Sequence, residues 1–217
     1  MQRLCNTGAG AEQVKFGFCT SAPTALPVFT MPPTCLCTLV SHASTPCPAV
    51  HALTVRLAGT PDTACVLTYE LHADLARLLI PAPQPSAAAD ALWQHTCFEF
   101  FAAYDGAPGY HEYNFSPSGQ WAAYAFADYR QRESAVVLPP PRTHLERHHD
   151  RLVLDVILPP AALPMRSAGS AAGLRVGLSA VVETEDGQCS YWALRHPVGR
   201  PDFHHRDAFA LSLDVVS

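Results

Sequence analysis

Lysine is almost missing from this chain: Lys15 is the only one in 217 residues, and lysine plus arginine come to 14. Against 19 carboxylates this gives a formal charge of −5, so no basic stripe exists to neutralise a phosphate backbone, and nucleic-acid binding is disfavoured. Charge of either sign is scarce, at 15% of residues. No apolar run approaches the roughly 20 residues that a membrane helix needs, and the N-terminus lacks a charged start followed by an apolar region and a cleavage site. None of the eight cysteines forms a Cys-x-x-Cys pair, so neither a zinc ribbon nor a disulfide scaffold is signalled. Cys65, Cys97 and Cys189 sit in apolar strands, where a free cysteine packs as a small hydrophobe. A reducing compartment fits this usage, and a soluble, cytoplasmic protein is the expectation. A Gly-x-Ser-x-Gly elbow, a phosphate loop and a dinucleotide fingerprint are also missing.

What is present points to strands. Hydrophobic residues make up 48%, while 20 prolines and 12 glycines cut the chain into short pieces, which favours many strands over long helices. The length suits one domain with a tail. Residues 1–45, rich in Thr, Ser, Pro and Gly and without periodicity, read as a disordered tail or as an extension upstream of a start at Met31. Residues 46–217 read as the domain.

Within it, Val50–Ala58 and Ala64–Leu71 alternate apolar and polar side chains and suggest a hairpin. His72–Ile80 reads as a helical turn or an irregular strand, and the proline-rich linker 81–90 must cross the surface. In Cys97–Ala103 both faces are apolar, as in a central strand, and Tyr110–Phe115 returns after a glycine loop. Ser116-Pro117-Ser118-Gly119 is a type I turn into a strand from Gln120 to Phe126. Residues 144–150 read as a loop or edge. Arg151–Leu158, Leu174–Glu183, Cys189–Leu194 and Phe209–Val215 supply further strands. The fold class is all-β, a two-sheet antiparallel β-sandwich of immunoglobulin-like or jelly-roll type.

Pairing the two strands about the Asp105–Gly109 loop sets Glu99 opposite Asn114 and Phe101 opposite Glu112, with opposed side chains about 5 Å apart. Glu99, Glu112 and Asn114 then form a polar cluster on an apolar face, while Phe98, Phe100, Tyr113 and Phe115 belong to packing. With Trp93, Trp121 and Trp192, and Tyr113 and Tyr191 nearby, the set suits a small polyol: aromatic faces stack on a sugar ring, and carboxylates and amides bond its hydroxyls. Core packing of the tryptophans is the alternative. A second alternative is a glycoside hydrolase, since Glu99 and Glu112 on neighbouring strands could serve as acid and nucleophile. A third is an interaction protein whose aromatic face meets another chain. His196, Asp202, His204, His205 and Asp207, with His95, have metal-ligating chemistry but no fixed ligand spacing. They read instead as a surface loop clamped by Arg195 or Arg200 on Asp202 or Asp207, and no metal site is assigned.

The strings WQHTCFEFF, YHEYNFSPSGQWAAYAFADYR and LSAVVETEDGQCSYWALRHPVGRPDFHH, with TPCPAVHALTV ahead of them, resemble the bacterial DOMON-like proteins related to family 9 carbohydrate-binding modules. The resemblance runs from about Pro46 to Val215. It implies a ligand-binding β-sandwich without an activity of its own, whose relatives hold sugars or haem. In the sugar-binding relatives two tryptophans clamp the ligand; Trp93, six residues before Glu99, is similar to the first and Trp192 to the second, while Asn114 matches their asparagine. Two departures stand out. Glu112 replaces an arginine, and His95-Thr96-Cys97 replaces an Asp-Asp pair, which leaves ligand identity and any calcium site open. The haem-binding relatives use a methionine and a histidine. Here Met165 lies in a proline-flanked linker and Met1 and Met31 in the tail, so haem would need two histidines facing one cavity. The reading is a non-catalytic domain for a small ligand, a sugar first, with no cofactor and with haem as the alternative.

Overall fold

The computed structural model describes residues 34–60, 63–166 and 172–213. They form thirteen strands and four short 3₁₀ turns, with no helix long and apolar enough to cross a membrane. The strands are β1 (Thr34–Thr38), β2 (Val40–Ser41), β3 (Val50–Ala58), β4 (Cys65–Ala73), β5 (Cys97–Tyr104), β6 (Tyr110–Phe115) and β7 (Trp121–Asp128). There follow β8 (Gln131–Arg132), β9 (Arg142–Arg147), β10 (Arg151–Leu158), β11 (Leu174–Glu183), β12 (Cys189–Ala193) and β13 (Leu211–Leu213).

They assemble into two antiparallel sheets, one ordered β1-β3-β4-β10-β9, the other β2-β12-β11-β5-β6-β7-β8 with β13 also paired to β11. The alternation decides which side chains meet between the sheets. Leu53, Val55 and Leu57 of β3, Leu67, Tyr69 and Leu71 of β4, and Leu152, Leu154 and Val156 of β10 face Phe98, Phe100, Tyr113, Phe115, Ala180 and Val182 of the larger sheet. Each large apolar side chain buried there contributes roughly 1.5–3 kcal/mol. A direct tie joins the layers: the Tyr69 hydroxyl donates to the Glu99 carbonyl at 2.8 Å. Strand β5 is buried at all eight positions because its other face is covered as well.

Four boundaries differ from the sequence reading. Thr34–Thr38 pairs with β3 and Val40–Ser41 with β12, so residues 34–45, assigned above to the tail, belong to the sandwich. Edge pairing by backbone needs little apolar periodicity, which is why composition missed it. The rest of the tail reading lies outside the described residues. In the 72–80 segment β4 runs on to Ala73 and a single 3₁₀ turn, Leu75–Arg77, follows. Arg142–Arg147 is an edge strand carrying charges. The last strand is Leu211–Leu213, with residues 214–217 outside the description.

Candidate functional site

The register found between β5 and β6 is the one the loop implied: Glu99 opposes Asn114 and Phe101 opposes Glu112. Between β6 and β7, Glu112 opposes Tyr124 and Asn114 opposes Ala122. Glu99, Glu112, Tyr124 and Phe126 therefore share the outer face of the larger sheet. Around them a second apolar cluster forms with Val181 of β11, Ala193 of β12, and Phe203, Ala208 and Phe209 from the loop after β12. Tyr110 stacks on Phe126 with ring centres 4.6 Å apart, and His204 meets the Phe101 ring edge-on at 5.4 Å.

The loop does not close the face completely. A cavity of about 510 Å³ remains, with Glu99 and Glu112 at its floor and Trp93, Tyr124, Tyr191 and Phe203 among its walls. That is within the size range of small-molecule sites. Trp93 stands on the 3₁₀ turn Leu92–Gln94 and is 50% exposed, a large apolar ring kept in contact with solvent at the cavity. Ala91 and Arg130 also line it, and they are the two described non-glycine residues with positive φ, at 59° and 55°. Backbone held in that region costs free energy and concentrates at functional sites.

The polar groups fall into two layers. At the rim, Arg130 bonds Asp202 at 2.8 Å, and Asp202 also accepts from the Tyr129 hydroxyl at 2.5 Å. Asp90 accepts from the Tyr124 hydroxyl, and Arg132 lies over the Tyr124 ring at 4.1 Å with Asp90 at 3.9 Å. Both aspartates are held below the ordinary carboxylate range, Asp90 chiefly by the Tyr124 hydroxyl and Asp202 by Tyr129 and Arg130 outweighing its partial burial.

At the floor the donors are neutral. Ser179 donates to Glu99 at 3.2 Å and Asn114 to Glu112 at 2.8 Å. Burial raises the Glu99 carboxyl well above its ordinary range, with the neighbouring Glu112 charge adding to it. Burial likewise pushes Glu112 up to about 7, against the opposing pull of Asn114, Arg130 and Arg132. Asn114 Oδ1 is buried with no donor, and its cross-strand partner is Glu99, which becomes a donor once protonated. His204 is pushed the other way, down to about 4, by burial and by the Arg130 charge. The Tyr110 hydroxyl accepts from the backbone N–H of Arg130 at 3.0 Å and lies 2.8 Å from His204 Nδ1. The other ring nitrogen of His204, Nε2, lies 3.8 Å from the Glu112 carboxyl.

Of the six residues singled out above, Trp93, Glu99 and Glu112 line the cavity, and Asn114 lies directly behind Glu112. Trp121 and Trp192 do not. Trp121 pairs with Phe115 and so falls on the opposite side of the sheet. Trp192 is packed between the sheets, 8% exposed, with its indole N–H donating to Ser190 at 3.0 Å. The two-tryptophan clamp implied by the resemblance is not formed, because Tyr191, one residue earlier and of opposite parity, takes the wall position. Tyr113 is core, its hydroxyl bonded to the Pro139 carbonyl.

Sequence reasoning missed Asp90, Tyr124, Arg130 and Arg132. Tyr124 was within reach, since the Ser116–Gly119 turn sets Phe115 against Trp121 and hence Glu112 against Tyr124. The loop clamp exists, but Arg130 holds Asp202, where Arg195 or Arg200 was expected. Of the loop histidines, His204 turns inward, His196 bonds the Val40 carbonyl and His205 accepts from the Asp207 N–H. Among the described residues no three His, Cys, Asp or Glu side chains converge as a metal site requires. His204 is the one described histidine lining the cavity, and Met165 is 95% exposed.

No family model and no curated protein matches the chain. Solved structures do. A protein of Bacteroides uniformis ATCC 8492, provisionally named carbohydrate-binding, aligns over 82% of this chain and 84% of its own at a TM-score of 0.59 and 15% identity. A family 9 carbohydrate-binding module of Caldicellulosiruptor kristjanssonii, in complex with glucose, aligns over 74% and 76% at 0.47 and 9%. A module of the same family and organism, with cellotriose, aligns over 68% and 67% at 0.41 and 11%. What the first of these likenesses establishes is the fold: this chain is an all-β, two-sheet antiparallel sandwich.

Proposed function

We propose that this chain is a non-catalytic binding protein for a small carbohydrate, held in the cavity on the outer face of the larger sheet. The observation that carries the reading is the exposed Trp93 ring beside two buried carboxyls, Glu99 and Glu112, in one cavity. A flat apolar ring offers stacking to the C–H face of a pyranose, and the carboxyl floor takes its hydroxyls. Tyr124, Tyr191 and Phe203 add apolar wall. The likeness to the Bacteroides protein supports the same reading through its name.

The test is titration with a panel of mono- and disaccharides, followed by tryptophan fluorescence. Trp93 is the cavity's own reporter. A saturable change is expected with at least one sugar, and Trp93→Ala is expected to remove binding while the variant unfolds at nearly the wild-type denaturant midpoint, because half its ring is already in water. Undiminished binding in Trp93→Ala would sink the assignment. Turnover of an aryl glycoside lost in Glu99→Gln would replace it with a hydrolase.

A further inference from the structure

Four carboxyls and two arginines line the cavity, and their pairing is uneven. Arg130 faces Asp202 at 2.8 Å, and Arg132 faces Asp90 at 3.9 Å, so each arginine is matched by one rim aspartate. Glu99 and Glu112 are left over. Both are at least nine-tenths buried, at 3% and 4% exposure, and both line the cavity. Their hydrogen-bond donors, Ser179 and Asn114, are neutral. Among the described residues no arginine or lysine stands within ion-pair distance of either; the nearest basic side chain, His204, is 3.8 Å from Glu112 and is held neutral by its burial.

Two carboxyls side by side, each desolvated and each without a cation, are a costly arrangement that two amides of the same shape would avoid. Protonation relieves that cost in the empty cavity, and a positive charge arriving from outside the chain relieves it with both carboxyls ionised. The ring faces of Trp93, Tyr124 and Tyr191 in the same cavity favour a cation too, since aromatic faces carry negative potential.

We propose that the cavity selects a ligand bearing an ammonium group, placed against Glu99 and Glu112, and therefore an amino sugar where the ligand is a carbohydrate. The carbohydrate part rests on the function proposed above; the charge selection does not. Without ligand the floor keeps at least one proton, held on Glu99 as a hydrogen-bond donor to the Oδ1 of Asn114 opposite it. With an ammonium in place both carboxyls ionise, and the displaced proton leaves to solvent.

The experiment is isothermal titration of the full chain with glucosamine as its ammonium form, glucose, N-acetylglucosamine and cyclohexylamine, each in two buffers of different ionisation enthalpy. Glucosamine should bind at least about tenfold more tightly than glucose or N-acetylglucosamine, as expected for a desolvated charge pair. Its binding should release protons, where that of glucose releases none. Glu112→Gln should weaken glucosamine binding by a larger factor than glucose binding, so that glucosamine loses its advantage. Equal affinity for glucosamine and glucose in the wild type overturns the charge selection while the carbohydrate reading stands. Cyclohexylamine binding that Glu112→Gln abolishes, with no sugar bound, upholds the charge selection and removes the carbohydrate reading. Binding of none of the four overturns both.

Discussion

The two faces of the larger sheet are made from the same strands and are almost equally buried, yet they are built to different rules. On the inner face Phe98, Phe100, Tyr113, Phe115, Val182 and Trp192 meet a second sheet, and the few polar atoms there are satisfied, Tyr69 on the Glu99 carbonyl and Trp192 on Ser190. On the outer face the cover is a loop. It leaves a cavity, carboxyls without cations and a buried amide oxygen without a donor. Glu99 belongs to both: its backbone carbonyl is part of the inner tie, and its side chain is the outer floor. A sheet cover saturates the face it touches, whereas a loop cover leaves room for polar groups that only a ligand completes.

The tryptophans give the sharpest way to break that contrast. Trp192 and Trp93 differ less in chemistry than in address. Trp192→Ala empties a site between the sheets and should cost about 3–5 kcal/mol of stability, read from the urea midpoint. Trp93→Ala, at the cavity wall, should cost far less. Comparable losses from the two would mean that the faces are not energetically distinct.

The pH dependence of stability tests the outer face alone. Glu112 and Glu99 carry folded-state pKa values raised above their unfolded ones, so the folded state binds more protons than the unfolded. Their contribution is therefore greatest at low pH and is lost as pH rises, from about 4.5 to about 7 for Glu112. His204 is lowered, to about 4, so it works in reverse between about 4 and 6.5 and offsets one of the two carboxyls there. His111 and His196 are lowered as well and act in the same direction as His204, so the share of the carboxyls is read from the difference between wild type and variant. Glu112→Gln should remove one proton's worth of the slope with pH, about 1.4 kcal/mol per pH unit. Chemical denaturation at a series of pH values measures it, and an unchanged slope in the variant would contradict the buried, cation-free placement of Glu112.

How much of this was legible beforehand follows from period and parity. The sandwich, its core-facing residues on β10 and β11 and the Glu99–Asn114 register all came from strict alternation and a short loop, since a period of two fixes the face of every residue once one is known. Trp192 was misplaced where resemblance overrode parity: a tryptophan near the right position was taken for a clamp, although its parity matches Ala180 and not Val181. Arg130, Arg132 and Asp90 were not legible in any pattern. They lie where a tight turn or a proline-rich crossing sets the direction of the side chain, and no repeat carries that information.

The smallest effect expected concerns Ala91. Its φ of 59° is paid by a residue with a Cβ, at roughly 1–2 kcal/mol relative to right-handed backbone. Glycine relieves that strain but brings a larger unfolded-state entropy, about 0.5–1 kcal/mol. Ala91→Gly should therefore shift stability by only about 0.5–1 kcal/mol, on the stabilising side, measured by thermal or urea unfolding. The turn that follows directly carries Trp93, and Ala91 itself opens it by accepting from Gln94. A looser Ala91 should thus weaken sugar binding by more than its effect on stability, because a freed backbone must be ordered again when the ring closes on the ligand. Parallel gains in stability and affinity would show instead that the left-handed turn is no part of how the outer face holds its ligand.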